Sequence, residues 1–315
     1  MSNISKIANI ESFCDFELRN FSTLKISSIA KLVYFPKNID EFVVLMQSLD
    51  DFLIVGAGSN LIFSSFGVDI PVIITKKMNE ISISKDIIEV QAGVLTQKLS
   101  TEVAQNSLSG FEFLIGIPST LGGAVAMNAG AHGQEISDCL LSALIYDKKT
   151  KSVVEFSKEQ LKYSYRNSII KQNPNDYVVL SAKFKLDKKP KDEILKKMDE
   201  NTKFRKNNQP SLALPNVGSV FKNHIMPSGE KLSAGMLIDK CGLRGKCFGG
   251  AKVWENHANF AINFDNATSS DYLNVIFAMY NNVKEKFQIE LEPEVVFAGK
   301  MSKVEEEQWK IMKKS

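Results

Sequence analysis

Three short segments carry side chains whose types and spacing suit acid–base chemistry on a small anionic molecule. Pro215-Asn-Val-Gly-Ser-Val-Phe-Lys-Asn223 sets a serine directly after a glycine, with Lys222 and Asn223 just beyond Ser219. In an extended run Ser219 and Lys222 point to opposite faces, so one ligand meets both only across a bend or a bulge. Tyr163-Ser-Tyr-Arg-Asn-Ser168 flanks Arg166 with aromatic rings, a setting suited to clamping a carboxylate or stabilising an enolate through charged hydrogen bonds. Leu291-Glu-Pro-Glu-Val295 places Glu292 and Glu294 around a proline at the start of a strand. Each segment has a plainer alternative: a turn serine, a surface arginine and a solvated acidic turn. The serine is not a hydrolase nucleophile elbow, because Phe221 stands where GxSxG needs its second glycine.

A fourth segment suits holding a cofactor. From Gly110 to Gly133 the chain is too glycine-rich for a helix and too irregular for a strand, and it carries no charge between Phe113 and Gln134. Gly116, Gly122, Gly123, Gly130 and Gly133 let the backbone take positive φ and approach a bulky ligand, Pro118 fixes a bend, and Asn128 offers a side-chain amide. Main-chain N–H groups in such a run suit a diphosphate and a ring system. The competing readings are a membrane span and a plain buried loop. Glycines, proline and asparagine argue against a lipid-facing helix.

The elements that must position these segments follow from periodicity and punctuation. A small β-α-β unit is predicted from a strand at Leu32 to Phe35, a helix at Asn38 to Leu49 with Asn38 and Glu41 as a capping box, and a strand at Phe52 to Val55. It ends in the Gly56-Ala-Gly-Ser-Asn60 turn. That turn fails the dinucleotide fingerprint, since Leu61 stands where the third glycine belongs and Leu61 to Phe63 reads as another strand. Strands at Pro71 to Thr75 and Ile87 to Ala92, then a helix at Thr96 to Asn106, lead into the glycine-rich segment. Strands at Leu141 to Tyr146, Val153 to Phe156 and Tyr177 to Leu186 follow it, then a proline-started helix at Pro190 to Lys206. The last region reads as a helix at Ser233 to Cys241, strands at Ala251 to Glu255 and Asn259 to Asn263, and a long helix at Ser269 to Phe287. Tyr272, Val275, Ile276, Met279, Tyr280, Val283 and Phe287 recur at helical spacing there, a core face that needs no ligand. The charged tail from Lys303 to Ser315 reads as a solvated terminal helix.

Composition narrows the function classes. The 315 residues, 44% hydrophobic and 24% charged, are ordinary globular usage with room for two or three domains. A net charge of +3 with scattered lysines gives no nucleic-acid groove, though a local basic pocket for an anionic small molecule remains open. Cys14, Cys139, Cys241 and Cys247 lack paired spacing and are expected to be free thiols, and three separated histidines make no metal site. The first eight residues lack a basic region followed by an apolar core, so no secretory signal is read and a cytoplasmic protein is expected.

In this order the motifs resemble the UDP-N-acetylenolpyruvoylglucosamine reductases, flavoenzymes of bacterial peptidoglycan synthesis. The matching stretches are Gly56-Ala-Gly-Ser-Asn-Leu61, Gly116-Ile-Pro118, Gly122 to Ala131, Tyr165-Arg-Asn-Ser168, Gly218 to Asn223, Ala234 to Asp239, His257-Ala-Asn-Phe260 and Leu291 to Val295. The Tyr-rich insertion of some family members is not evident, so the chain resembles the shorter of the family's two types. The resemblance implies an α+β protein with a two-part FAD-binding region of the vanillyl-alcohol-oxidase type, residues 1–78 and 79–208, and an α+β substrate domain over residues 209–315. It implies non-covalent FAD, NADPH as reductant and a UDP-sugar substrate, with no membrane insertion and no implied oligomer. It implies further that hydride passes by way of FAD to the enolpyruvyl double bond, with Ser219 as proton donor and with Arg166 and Glu294 stabilising charge or relaying protons.

By the same match, Gly56, Ala57, Gly58, Ser59, Asn60, Leu61, Gly116, Ile117, Pro118, Gly122, Gly123, Ala124, Asn128, Gly130 and Ala131 meet the cofactor, while Lys222, Asn223, Tyr165, His257 and Asn259 meet the substrate. The chain departs from the pattern at Ser27 and Ser28, where paired glycines are common, at Ser119 for glycine, at His224 for proline and at Val296 for arginine. A cation for the substrate must then come from Lys222, Arg244, Lys246 or Lys252. A flavin-dependent sugar or alcohol oxidase and a catalytically silent flavin-binding protein are the alternatives; neither uses the Ser219, Arg166 and Glu294 set.

Overall fold

The computed structural model describes residues 7, 9–211 and 213–313. Most of the N-terminal stretch read for a secretory signal, Leu212, and Lys314 and Ser315 of the tail lie outside the described residues. The described chain divides into two compact units. One takes the chain up to Phe13 with Val33–Ala57 and Val72–Arg205; the other takes Cys14–Leu32, Gly58–Pro71 and Lys206 onward. The chain passes from one to the other inside the Gly56–Asn60 turn.

In the first unit the β-α-β reading holds. Leu53–Val55 runs parallel to Val72–Ile74, with Leu53 opposite Val72, and the end of Ile29–Tyr34 joins on the other side through Val33. The helix Ile39–Ser48 connects them, and Asn38 Oδ1 accepts the Glu41 N–H at 2.9 Å. Glu41 Oε2 accepts from the Lys37 N–H rather than from Asn38, so the expected box closes on one side only. Beyond it lies an antiparallel sheet in the order Ser152–Ser157, Leu140–Asp147, Tyr177–Lys185, Ile87–Gln91, Ile81–Ser84.

The glycine-rich segment is more regular than its composition predicts. It holds a 3-10 turn, Glu112–Gly116, and an α-helix, Leu121–Met127, with Gly122 and Gly123 in the first turn. Tertiary burial overrides propensity here: Leu121, Ala124 and Val125 are fully buried in the core beside Leu99, Phe113 and Phe184. The Leu121 and Gly122 N–H groups donate to Val94 O and Ala92 O at 2.8 Å, which anchors the helix start on the chain itself.

The second unit builds an antiparallel sheet in the order Asn216–Ser219, Phe260–Asn263, Ala251–Val253, Cys247–Phe248. The helix Ser269–Phe287 lays its predicted stripe on that core, with Tyr272, Val275, Ile276, Met279, Tyr280 and Val283 buried and Thr268 and Asp271 forming a reciprocal capping box. Val296–Ala298 runs parallel to Leu61–Phe63. The tail corrects its sequence reading. Lys303–Lys313 is a helix, but Met312 and Glu305 are buried, and Trp309 packs against the same core and against Phe297. Six charged residues among the eleven of this helix hid a narrow apolar stripe.

Candidate active site and cofactor-binding segments

Ser219 ends its strand at a bulge. Register is lost between the Asn216–Ile262 and Ser219–Phe260 pairs, Gly218 takes φ of 77°, and Asn216 Oδ1 accepts the Gly218 N–H at 2.9 Å to hold that turn. The chain then bends at Val220 before the Phe221–Pro293 bridge, which supplies the kink that the Ser219 and Lys222 spacing demanded. Among the described residues the Ser219 hydroxyl makes no hydrogen bond, and its residue is half-buried.

Glu294 is brought to this bend by main-chain pairing. Its N–H donates to Val220 O at 2.8 Å, and its carbonyl accepts from Asn60 Nδ2 at 2.9 Å. The Val296 N–H returns to Asn60 O at 2.9 Å. One joint therefore carries the residue after Ser219, the second carboxylate, and the last asparagine of the Gly56–Asn60 turn. Lys222 follows on the same segment, its N–H donating to Glu292 O at 3.0 Å and its ammonium paired with the Glu292 carboxylate.

Of the other expected substrate residues, Asn259 differs most from its reading. It is 3% exposed, its Oδ1 accepts the Phe221 N–H at 3.0 Å, and its Nδ2 donates to Phe221 O at 2.9 Å. Both amide atoms are spent on the main chain, so Asn259 is a clamp on the Ser219–Lys222 segment rather than an open ligand group. Asn223 Oδ1 accepts the Ala234 N–H at 3.1 Å, at the start of the helix Ala234–Lys240. His257 packs its ring over Gly235 and edge-on to Phe260, and its Nδ1 accepts the Asn259 N–H at 3.3 Å. Burial lowers its pKa, the Arg244 charge adds to this, and its own main-chain hydrogen bond opposes it. Tyr165 is exposed, with the Arg166 guanidinium over its ring at 5.5 Å.

Arg166 is in the first unit. It takes φ of 54°, and its guanidinium donates to Asn128 O at 3.4 Å and to Gly130 O at 2.7 Å. Asn128 departs from its expected role as well. It is fully buried at the left-handed end of the Leu121–Met127 helix, where its Nδ2 donates to Ser164 O at 3.2 Å and its Oδ1 accepts the Ser137 N–H at 3.2 Å.

The cofactor segments fit a dinucleotide by their donors. Among the described residues the N–H groups of Ala57, Gly58, Ser59 and Asn60 donate no hydrogen bond, nor does that of Gly123, which is exposed in the first turn of its helix. Consecutive unpaired amides are what an anionic diphosphate needs. The glycines themselves have another cause. A Cβ at Gly56 would stand 2.2 Å from Thr120 Oγ1, at Gly58 2.0 Å from Phe21 O, and at Gly130 2.5 Å from Gln134 O, so the chain's own packing requires them. Arg205, which sequence reading passed over, lies with its Cδ 3.5 Å from the Gly116 Cβ position, and burial lowers its pKa. Nothing in its charged, helical surroundings distinguishes it in the sequence.

The departures from the pattern find places. Ser119 takes no positive φ and donates from its hydroxyl to Thr120 O at 3.0 Å. Ser27 Oγ donates to Glu17 at 2.7 Å, whereas Ser28 is fully buried with an unpartnered hydroxyl. Val296 is exposed. Of the substitute cations, Arg244 is held by both Asp239 oxygens and by Glu255 O, Lys252 by Glu255, and Lys222 by Glu292. Lys246 is exposed and, among the described residues, unpaired. No group of His, Cys, Asp or Glu among the described residues is arranged to hold a metal, and no described helix is long and apolar enough to cross a membrane.

Known proteins match this arrangement. Residues 30–157 fit the family model described as an FAD binding domain, and residues 209–298 fit that of the UDP-N-acetylenolpyruvoylglucosamine reductase C-terminal domain. The UDP-N-acetylenolpyruvoylglucosamine reductase of Caldicellulosiruptor saccharolyticus is 35% identical over 92% of this chain and 93% of its own length. That of Clostridium tetani is 39% identical over 90% of each. The crystal structure of the Thermus caldophilus reductase (MurB) superposes with a TM-score of 0.75 at 31% identity, covering 92% of this chain and 99% of that one.

Proposed function

The chain belongs to the UDP-N-acetylenolpyruvoylglucosamine reductase family, FAD-dependent oxidoreductases of peptidoglycan precursor synthesis, and we propose that Ser219, Glu294 and Arg166 perform its proton and charge chemistry. The observation that carries this assignment is the joint at Glu294, whose main chain bonds both Val220 and Asn60 and so seats a carboxylate beside the serine segment and the end of an amide-rich turn. FAD, when bound, supplies the hydride carrier between NADPH and the enolpyruvyl double bond.

The rest falls to side chains. Ser219, with its hydroxyl uncommitted, protonates the carbon neighbouring the one that receives hydride. A neutral hydroxyl is a weak acid, so Glu294 must return a proton to it and Arg166 must hold the charge that develops on the substrate carboxylate. Lys222, His257, Tyr165 and Asn223 face the UDP-sugar, and Asn259 keeps Ser219 and Lys222 in register. The free thiols at Cys14, Cys139, Cys241 and Cys247 accord with a cytoplasmic site of action.

Ser219→Ala separates the two half-reactions. In anaerobic stopped-flow the variant's flavin bleaches with NADPH within about tenfold of the parent rate, while reoxidation by the enolpyruvyl sugar slows by at least ~10²-fold. Equal slowing of both halves makes the serine structural and overturns the assignment.

A further inference from the structure

We infer that Arg166 is a positioning residue for FAD as well as a charge stabiliser for the substrate, because its guanidinium fixes the end of the glycine-rich segment. The inference rests on the reductase reading and deepens it.

The stretch from Tyr163 to Ser168 is joined to the segment from Ala126 to Gly130 by side-chain hydrogen bonds. Asn128 Nδ2 donates to Ser164 O at 3.2 Å, Ser168 Oγ donates to Ala126 O at 2.6 Å, and Arg166 spans Asn128 O and Gly130 O. The first two bonds lock the turn against the helix end. The third reaches past Asn128 into the hairpin of Gly130–Ala131 with Gln134–Glu135.

Electrostatics favour that placement. Asn128 O lies at the C-terminal cap of the Leu121–Met127 helix, where the negative pole favours a guanidinium, and Gly130 O in the following hairpin takes its shorter bond. Holding Arg166 in reach requires its unfavourable positive φ, and the surroundings enforce it. Ser164 and Asn167 exchange N–H to O bonds at 3.1 and 3.0 Å across the turn, and Lys171 Nζ donates to Arg166 O at 2.8 Å. A residue needed only to meet substrate from solution has no use for such a mounting.

The same segment carries Gly122, Gly123, Ala124 and Ala131, which the family match assigns to the cofactor. Removing the guanidinium frees the carbonyls of Asn128 and Gly130 and loosens the Gly130 end of the hairpin, whose base the Ile136 N–H to Ala129 O and Ser137 N–H to Asn128 Oδ1 bonds still hold, so the apo form that FAD selects becomes less populated.

The experiment titrates apoprotein with FAD and follows flavin fluorescence and visible circular dichroism. Arg166→Ala raises the FAD dissociation constant at least about tenfold, the loss of one charged hydrogen bond, and sub-denaturing guanidinium restores part of it. Arg166→Lys, which reaches one carbonyl at a time, falls between. The urea midpoint of the apoprotein stays with the parent in both variants, which a general loss of structure does not allow; if Arg166→Ala fails to fold, Arg166→Lys alone carries the comparison. A variant series with the parent's FAD affinity, altered only in reoxidation by the enolpyruvyl sugar, overturns the inference. Parent holoenzyme that neither bleaches with NADPH nor reoxidises with that sugar fails the reductase reading instead.

Discussion

Truncating Asn259 to alanine tests whether this asparagine holds the active-site strand or the substrate. Its carboxamide makes two hydrogen bonds to Phe221, at 3.0 and 2.9 Å, and the two residues are 3% and 1% exposed. Asn259→Ala therefore strands one main-chain donor and one acceptor away from water. Each stranded group costs about 1–3 kcal/mol, so the pair is worth roughly 2–5 kcal/mol after some relaxation. That is a large share of the stability of a typical domain, about 5–15 kcal/mol. The functional consequence follows from position, because Phe221 lies between Ser219 and Lys222. Urea unfolding of the apoprotein, followed by far-ultraviolet circular dichroism, gives the stability change, and anaerobic stopped-flow gives the two half-reactions. The expected result is a clearly lowered midpoint, reoxidation by the enolpyruvyl sugar slowed about tenfold or more, and flavin reduction by NADPH little changed. An unchanged midpoint with only a raised KM for the sugar refutes the reasoning, since the amide would then be free in solution to bind substrate.

Three further outcomes are expected. Ser28→Ala removes a fully buried hydroxyl without a partner and raises stability by about 1 kcal/mol, read as a shift of the urea midpoint; a loss of similar size means the hydroxyl is hydrogen-bonded in solution. His257 has its pKa lowered in the folded protein, so its contribution to stability is complete above the ordinary histidine value of about 6.5 and is lost as pH falls through the folded pKa. His257→Gln accordingly flattens the acid side of the stability profile below that pH, and an unchanged slope assigns acid unfolding to other groups. Lys222→Ala raises the apparent KM for the UDP-sugar far more than it alters flavin reduction at saturating NADPH, and equal sugar affinity in variant and parent removes Lys222 from the site.

What the sequence reveals and what it hides divide along a physical line. Elements built on periodicity were legible nearly to the residue: the Ser269–Phe287 helix needs only its apolar stripe and its Thr268 cap, both local. The site motifs were legible because a family fixes residue types at intervals. The partners of those residues were not. The sequence offers Asn128, Asn259 and Asn223 as amides for ligands, yet each spends side-chain atoms on a backbone group from a different segment, such as Ser164 O or the Phe221 N–H. An asparagine beside a ligand and an asparagine clamping a strand look alike in sequence, because the hydrogen-bond partner lies up to 38 residues away along the chain. The glycines show the same ambiguity in a sharper form. Gly56 and Gly58 occur where the cofactor motif expects them, but the atoms that would collide with a Cβ belong to Thr120 and Phe21. Glycine at those positions therefore shapes the turn first, and it is the turn, through the unpaired amides from Ala57 to Asn60, that suits the diphosphate. At Gly56 and Gly58, residue identity records what the turn requires of its neighbours Thr120 and Phe21, and the amides that the turn presents are a property of its backbone.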